Sequence, residues 1–202
     1  MPHPRQSPEQ LAAMRTRILD AALAILRAKG PQALSARSIA HHLGVAHMSL
    51  FTYFANQGAL LQALAERETA PLRARQAELE ADQDIVAATR RSLELFPAFE
   101  REDPGLFHLA WVMPQQTEAG MGRAQARADE NVAHLALLIA RGVASGAFHV
   151  AEPALAATAA IGMVTFPLVL FHSGRLTDRA LCERLVAEML DAALGYLRRE
   201  PA

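Results

Sequence analysis

Residues 34–57 read LSARSIAHHLGVAHMSLFTYFANQ. Leu34 and Ile39 bracket Ser35 at the spacing of a hydrophobic staple, and Ser35 is a strong N-cap residue. Together they predict a helix over 36–43. Gly44 follows, and a residue without a Cβ adopts the positive φ that a sharp helix–helix turn needs. A second helix is expected over about 46–53, with Val45 and Leu50 packed inward against Ile39 and Leu43. That leaves His47, Met48, Ser49 and Thr52 on the opposite side, where few side chains are large and apolar. Asn56 is a strong N-cap for a third helix running through Leu60, Leu61 and Leu64. Two short helices held at a steep angle by a Gly turn form a helix-turn-helix, whose second helix enters the DNA major groove.

The same residues carry a family likeness. Ile18, Ala21, Ala22 and Gly30 lie upstream, followed by Arg37, Ile39, Ala40, Gly44, Val45, Leu50, Phe51, Tyr53, Phe54 and Leu60. Through them the segment from Ser7 to Leu64 resembles, without a gap, the N-terminal DNA-binding domain of the tetracycline-repressor (TetR) family of bacterial transcription regulators. The resemblance implies an all-α chain. A three-helix helix-turn-helix domain is expected over 1–56, and a helical ligand-binding and dimerisation domain over 57–202. Arg37, His47, Met48, Ser49 and Thr52 are expected to reach base edges or nearby sugar, with Ser35, Tyr53 and Gln57 on phosphates. Two departures stand out. The family usually has Tyr at the position of Phe51 and Lys at that of Gln57, and both donate to phosphates. Phe51 lacks the hydroxyl and Gln57 the charge, so weaker dependence on those two contacts is expected. The competing reading is a helix-turn-helix used only as scaffold, since fold alone does not fix function.

Charge is distributed in the same sense. The net charge of −1 is unremarkable for a 202-residue chain, but it conceals an asymmetry. Residues 1–60 carry Arg5, Arg15, Arg17, Arg27, Lys29 and Arg37 against Glu9 and Asp20, whereas residues 61–202 carry an excess of acids. The basic part can neutralise phosphates and the acidic part is repelled by them. The length allows a sizeable core. Aromatics are only 5%, and Ala and Leu dominate, which favours helices throughout. One cysteine, Cys182, excludes an intrachain disulfide and suits a reducing cytoplasm. The first ten residues, MPHPRQSPEQ, hold no apolar stretch of signal-peptide type.

Residues 1–6 read as a solvated arm, with Arg5 in it. Ser7, Pro8 and Gln10 form a helix start, with a Ser cap, Pro at the first position and Gln closing a capping box. Leu11, Met14, Ile18, Ala22 and Ile25 then repeat at helical spacing until Gly30-Pro31. The long helix from Gln57 meets Pro71, which predicts a kink or break near Thr69–Leu72. Pro97 predicts a second kink in a helix over about 84–101. Asp103-Pro104-Gly105 starts a short helix, and Pro114 is expected to end it. Residues 118–144 read as a helix that is polar through Arg123, Arg127, Asp129 and Glu130 and apolar from Leu135. Residues 154–171, ALAATAAIGMVTFPLVLF, are at the lower length limit of a membrane span. Gly162, Pro167 and the absence of basic flanks favour a soluble helix buried on all sides, with a second subunit as its cover. A last helix over about 178–199 carries Leu181, Leu185, Leu190 and Leu194. A homodimer through residues 154–199 follows.

No catalytic residue, metal ligand or cofactor is assigned. His41 and His42 are adjacent and face different ways on a helix. His108, His134, His149 and His172 lack metal-ligand spacing. No GxSxG, Walker loop or GxGxxG is present. By the resemblance, a small-molecule pocket is expected among the middle helices. Phe96, Phe99, Phe107, Trp111, Met113 and Phe166 are candidate walls, and His108 is a candidate polar contact. These residues are equally the stuff of plain core. Kinks at Pro71 and Pro97 would open space between helices and tilt the choice toward a pocket. The leading reading is a cytoplasmic, ligand-responsive repressor. As a homodimer it binds a palindromic operator in double-stranded DNA and is released by an apolar or amphipathic effector. The alternatives are a constitutive or nucleoid-associated DNA binder without a ligand, and an enzyme, for which the sequence offers no convergent titratable set.

Overall fold

The structure is a computed structural model that describes residues 7–113 and 118–199, with backbone alone over 118–128. The described residues are all-α. The helices are α1 Pro8–Lys29, α2 Ala36–Leu43, α3 Gln57–Leu79, α4 Ile85–Glu102, α5 Pro104–Phe107, α6 Glu118–Ala144, α7 Pro153–His172 and α8 Arg179–Arg198. Two compact units share α3, one holding its residues up to Glu68 and the other those from Thr69. Arg5 and Pro114 lie outside the described residues, as do the side chains of Arg123 and Arg127.

The first unit is built as its caps dictate. The Ser7 hydroxyl accepts from Gln10 N–H, and Gln10 Oε1 accepts from Ser7 N–H, so the expected capping box is present. Ile18, Ala22, Leu26, Ile39, Leu50, Leu60 and Leu64 are almost wholly buried and form its core. Gly44 takes the left-handed conformation, φ 68°, that ends α2 and turns the chain. The next element is not an α-helix. Residues His47–Thr52 form a 3-10 helix. Ala46, at its N-cap, has no side-chain acceptor for the first free N–H groups, so the tighter coil that suits short pieces prevails. Val45 does not pack inward as expected but is 37% exposed, while Leu50 is buried. Asn56 Oδ1 accepts from Ala59 N–H at 2.8 Å and starts α3.

Of the kink or break expected near Thr69–Leu72, a break does not occur. α3 continues through Pro71, and α4 through Pro97. Pro71 is exposed while Thr69, Leu72 and Gln76 are buried, so packing on the inner face offsets the missing donor. In the second unit Asp84 caps α4 and Asp103 caps α5. α5 passes directly into a π-helical turn, His108–Val112. α7 packs mainly on α8, and also on α4 and the π turn. It is long and apolar enough to cross a membrane by length and composition, yet Ala156, Ala157, Ala160, Val164 and Leu168 are core residues. The expectation that it is buried all round fails within one chain. Leu155 and Phe166 on its other face are each 60% exposed.

Candidate functional site

The first candidate surface lies on the first unit. Arg37, His47, Met48, Ser49 and Thr52 are all exposed, and Met48 is 62% accessible although it is a large apolar side chain. An exposed Met between polar neighbours is what a groove-reading face presents, with hydrogen-bonding groups beside an apolar contact for a thymine methyl. The scaffold beneath is fixed by a contact that the sequence did not reveal. The Arg15 guanidinium of α1 donates to the Tyr53 carbonyl and lies 4.3 Å from the centroid of the Phe54 ring. Arg15 therefore ties α1 to the end of the 3-10 helix.

Two of the three expected phosphate ligands use their side chains in intramolecular hydrogen bonds, and the third is held through its backbone. Ser35 Oγ accepts from Ser38 N–H at 3.1 Å, and Ser38 Oγ accepts from Ser35 N–H at 3.0 Å, a reciprocal cap on α2. Gln57 Oε1 accepts from Ala36 N–H. Tyr53 is half-buried with its carbonyl held by Arg15. The N-terminal end of α2 is thus organised entirely by neutral groups.

The second candidate site lies in the second unit. Phe107 and Trp111 stack with centroids 4.9 Å apart at 7°, and Phe99 and Phe96 close on Trp111 at 5.6 and 6.2 Å. The structure thus brings four of the expected pocket residues together. Trp111 and Met113 are only partly buried, so the cluster is not a sealed core. Phe166 does not join it, because its turn of α7 faces outward. His108 lies beside the cluster, with its ring 5.9 Å from that of His172. Burial, followed by the neighbouring His172, pushes the His108 pKa down, so a neutral ring is favoured there.

Behind this cluster is an ionic network that sequence reasoning missed. Glu100 is fully buried. Its carboxylate accepts from Arg179 at 2.7 and 2.9 Å, and from His172 Nε2 at 2.8 Å. Burial alone would raise its pKa. The His172 and Arg179 hydrogen bonds and charges outweigh that and hold the carboxyl at about 2. The network joins α4, α7 and α8. Its sequence signal was available, since Glu100 occurs at the helical spacing of Leu93 and Phe96, a charge within an apolar stripe. Among the described residues no group of three or more potential metal ligands converges.

A bacterial regulatory protein model, that of the TetR family, matches residues 18–64. These are the residues that form the core of the first unit and carry its exposed helix-turn-helix face. This segment is similar to the DNA-binding segment of that family. No curated protein matches its sequence. Solved structures extend the likeness in fold to almost the whole chain. FadR from Bacillus subtilis, in complex with stearoyl-CoA, is 16% identical, and the match covers 91% of this chain and 99% of that one at a TM-score of 0.72. RolR, in complex with resorcinol, is 18% identical, with 97% and 99% covered and a TM-score of 0.67. PfmR from Thermus thermophilus is 24% identical, with 91% and 100% covered and a TM-score of 0.64. At these identities the TetR fold is what is shared. FadR and PfmR are transcription regulators.

Proposed function

We propose that this protein is a cytoplasmic, ligand-responsive repressor of the TetR type. As a homodimer it binds a palindromic operator, and a small amphipathic effector releases it. The observation that carries this reading is the open aromatic cluster around Trp111, coupled with the exposed face of His47–Thr52. An aromatic group that is packed on one side and accessible on the other suits an apolar ligand body. Complexes of FadR with stearoyl-CoA and of RolR with resorcinol support ligand binding on this fold. The exposed Leu155 and Phe166 on α7 supply an apolar face for the two-fold partner. The two recognition helices then have to meet major grooves ~34–36 Å apart, or a multiple of that.

Release requires the effector to prefer the conformation whose recognition helices are wrongly spaced. The unbroken α3 is the mechanical element, since it starts at the Asn56 cap and runs on to Leu79. A coupling of ~1–3 kcal/mol weakens DNA affinity about 5- to 150-fold. The test titrates candidate effectors against Trp111 fluorescence and operator affinity in parallel. Compounds that change the fluorescence are expected to weaken operator binding over the same concentrations. DNA affinity that no fluorescence-active compound alters would leave a constitutive DNA binder.

A further inference from the structure

Two polar side chains in the second unit hold buried atoms without a hydrogen-bond partner among the described residues. Gln76 on α3 is 0% exposed, and neither its Oε1 nor its Nε2 has a hydrogen-bond partner among the described residues. Asn131 Oδ1 on α6 is likewise buried and unpartnered. Leaving such a group unsatisfied forfeits its hydrogen bonds to water, so an amide with both ends unpaired is a costly feature to keep in a core.

Two ion pairs relate their positions. Arg73 Nε meets Glu130 Oε2 at 2.9 Å, and the Glu80 carboxylate meets His134 Nδ1. These two pairs place α3 and α6 side by side in the same direction. Gln76 falls between Arg73 and Glu80, and Asn131 between Glu130 and His134, so the two amides occupy one level of the α3–α6 seam. On the other side of α3, Arg75 reaches Glu102 of α4 at 3.6 Å, and Phe99 lies one turn before Glu102. Phe99 in turn packs on Trp111 at the edge of the aromatic cluster.

We infer that Gln76 and Asn131 are the polar end of the effector site and take an uncharged head group that both donates and accepts hydrogen bonds, such as a hydroxyl or a carboxamide. The inference rests on the effector-binding reading proposed above and specifies its ligand. Gln76 Oε1 and Asn131 Oδ1 need donors, and Gln76 Nε2 needs an acceptor. An anionic head is disfavoured, because the cations at this level, Arg73 and Arg75, already face Glu130 and Glu102. The apolar body of the ligand then lies along Phe99 and Trp111. Ser92 Oγ, also buried and unpartnered among the described residues, lies one turn before Phe96 on the buried face of α4.

The experiment uses the full chain with decanol, decanamide and sodium decanoate as probes, read by Trp111 fluorescence and calorimetry. Decanol and decanamide are expected to bind at least tenfold more tightly than decanoate. Gln76→Leu and Asn131→Leu are expected to weaken the two neutral probes about tenfold or more, with little effect on decanoate. Without any probe, Gln76→Leu is expected to hold or raise the melting temperature, by ~2–4 °C, because it removes an unsatisfied buried amide. Equal affinity of Gln76→Leu and the unaltered chain for the neutral probes, tighter binding of decanoate, or a fall in the melting temperature of Gln76→Leu would each overturn the assignment. Operator affinity separates the two claims. Neutral probes that bind through Gln76 but leave operator affinity unchanged support this head-group assignment while removing the repressor-release reading.

Discussion

The side-chain carbonyl of Gln57 accepts a hydrogen bond from the backbone N–H of Ala36 at 3.0 Å. Ala36 is the first residue of α2, so Gln57 satisfies one of the N–H groups that a helix start leaves without a partner. The position where the TetR family, which this segment resembles, usually carries a phosphate-binding Lys is used here as an intramolecular cap. Gln57→Lys is expected to lose ~1 kcal/mol of stability with the cap. The same substitution is expected to strengthen binding to all DNA sequences and steepen the salt dependence by about one unit of slope. Urea denaturation and anisotropy titrations over a salt series measure the two effects. A salt slope equal to that of the unaltered chain would show that side chain 57 does not approach the backbone of the duplex.

Arg37 is exposed, and Met48 is 62% accessible. Arg37→Ala is expected to relax sequence preference by ~1–3 kcal/mol at one base pair, the worth of a bidentate contact to guanine. Met48→Ala is expected to weaken preference at a thymine and leave the salt slope unchanged, since it carries no charge. Selection from randomised operators checks both. Equal loss of affinity on every sequence in Arg37→Ala would move Arg37 from base edge to phosphate.

Glu100 sets an acid limit on the second unit. Its pKa is lowered from 4.5 to about 2 in the folded chain. A depressed carboxylate stabilises the fold fully above its unfolded value, and the contribution is lost as pH falls from about 4.5 to about 2. The shift corresponds to a stabilisation on the order of 3 kcal/mol. Glu100→Gln is expected to be less stable near neutral pH, with the difference shrinking through that acid window. Denaturation curves at a series of pH values measure it, and a gap that persists at the acid end would assign the loss to packing instead.

The proposed subunit interface needs a probe that leaves the protomer folded. Leu190, on the apolar face expected to pair with a partner, is only 7% exposed within a single chain. Leu190→Arg would bury an unpaired charge and unfold the protomer before it tested association. Phe166→Asp acts on an exposed face of α7 instead. It is expected to give a folded monomer with much weaker operator binding. Sedimentation with circular dichroism checks this, and a folded dimer from Phe166→Asp would place the interface elsewhere.

The sequence by itself determined the elements that local chemistry controls. Ser7 with Gln10, Ser35, Asn56, Asp84, Asp103 and Asp178 each cap the helix that follows them. Gly44 takes the positive φ that its turn requires. Those interactions span three or four residues, so they can be read from a string of letters. Only the tertiary structure decided the rest. It kept α3 and α4 continuous through Pro71 and Pro97, because long-range packing outweighs one missing donor. It turned Phe166 outward and Gln57 inward, and it joined Glu100 to Arg179 across 79 positions of sequence. Side chains of identical local propensity end in core, cap or surface according to what a distant helix brings against them, and no window along the chain contains that neighbour.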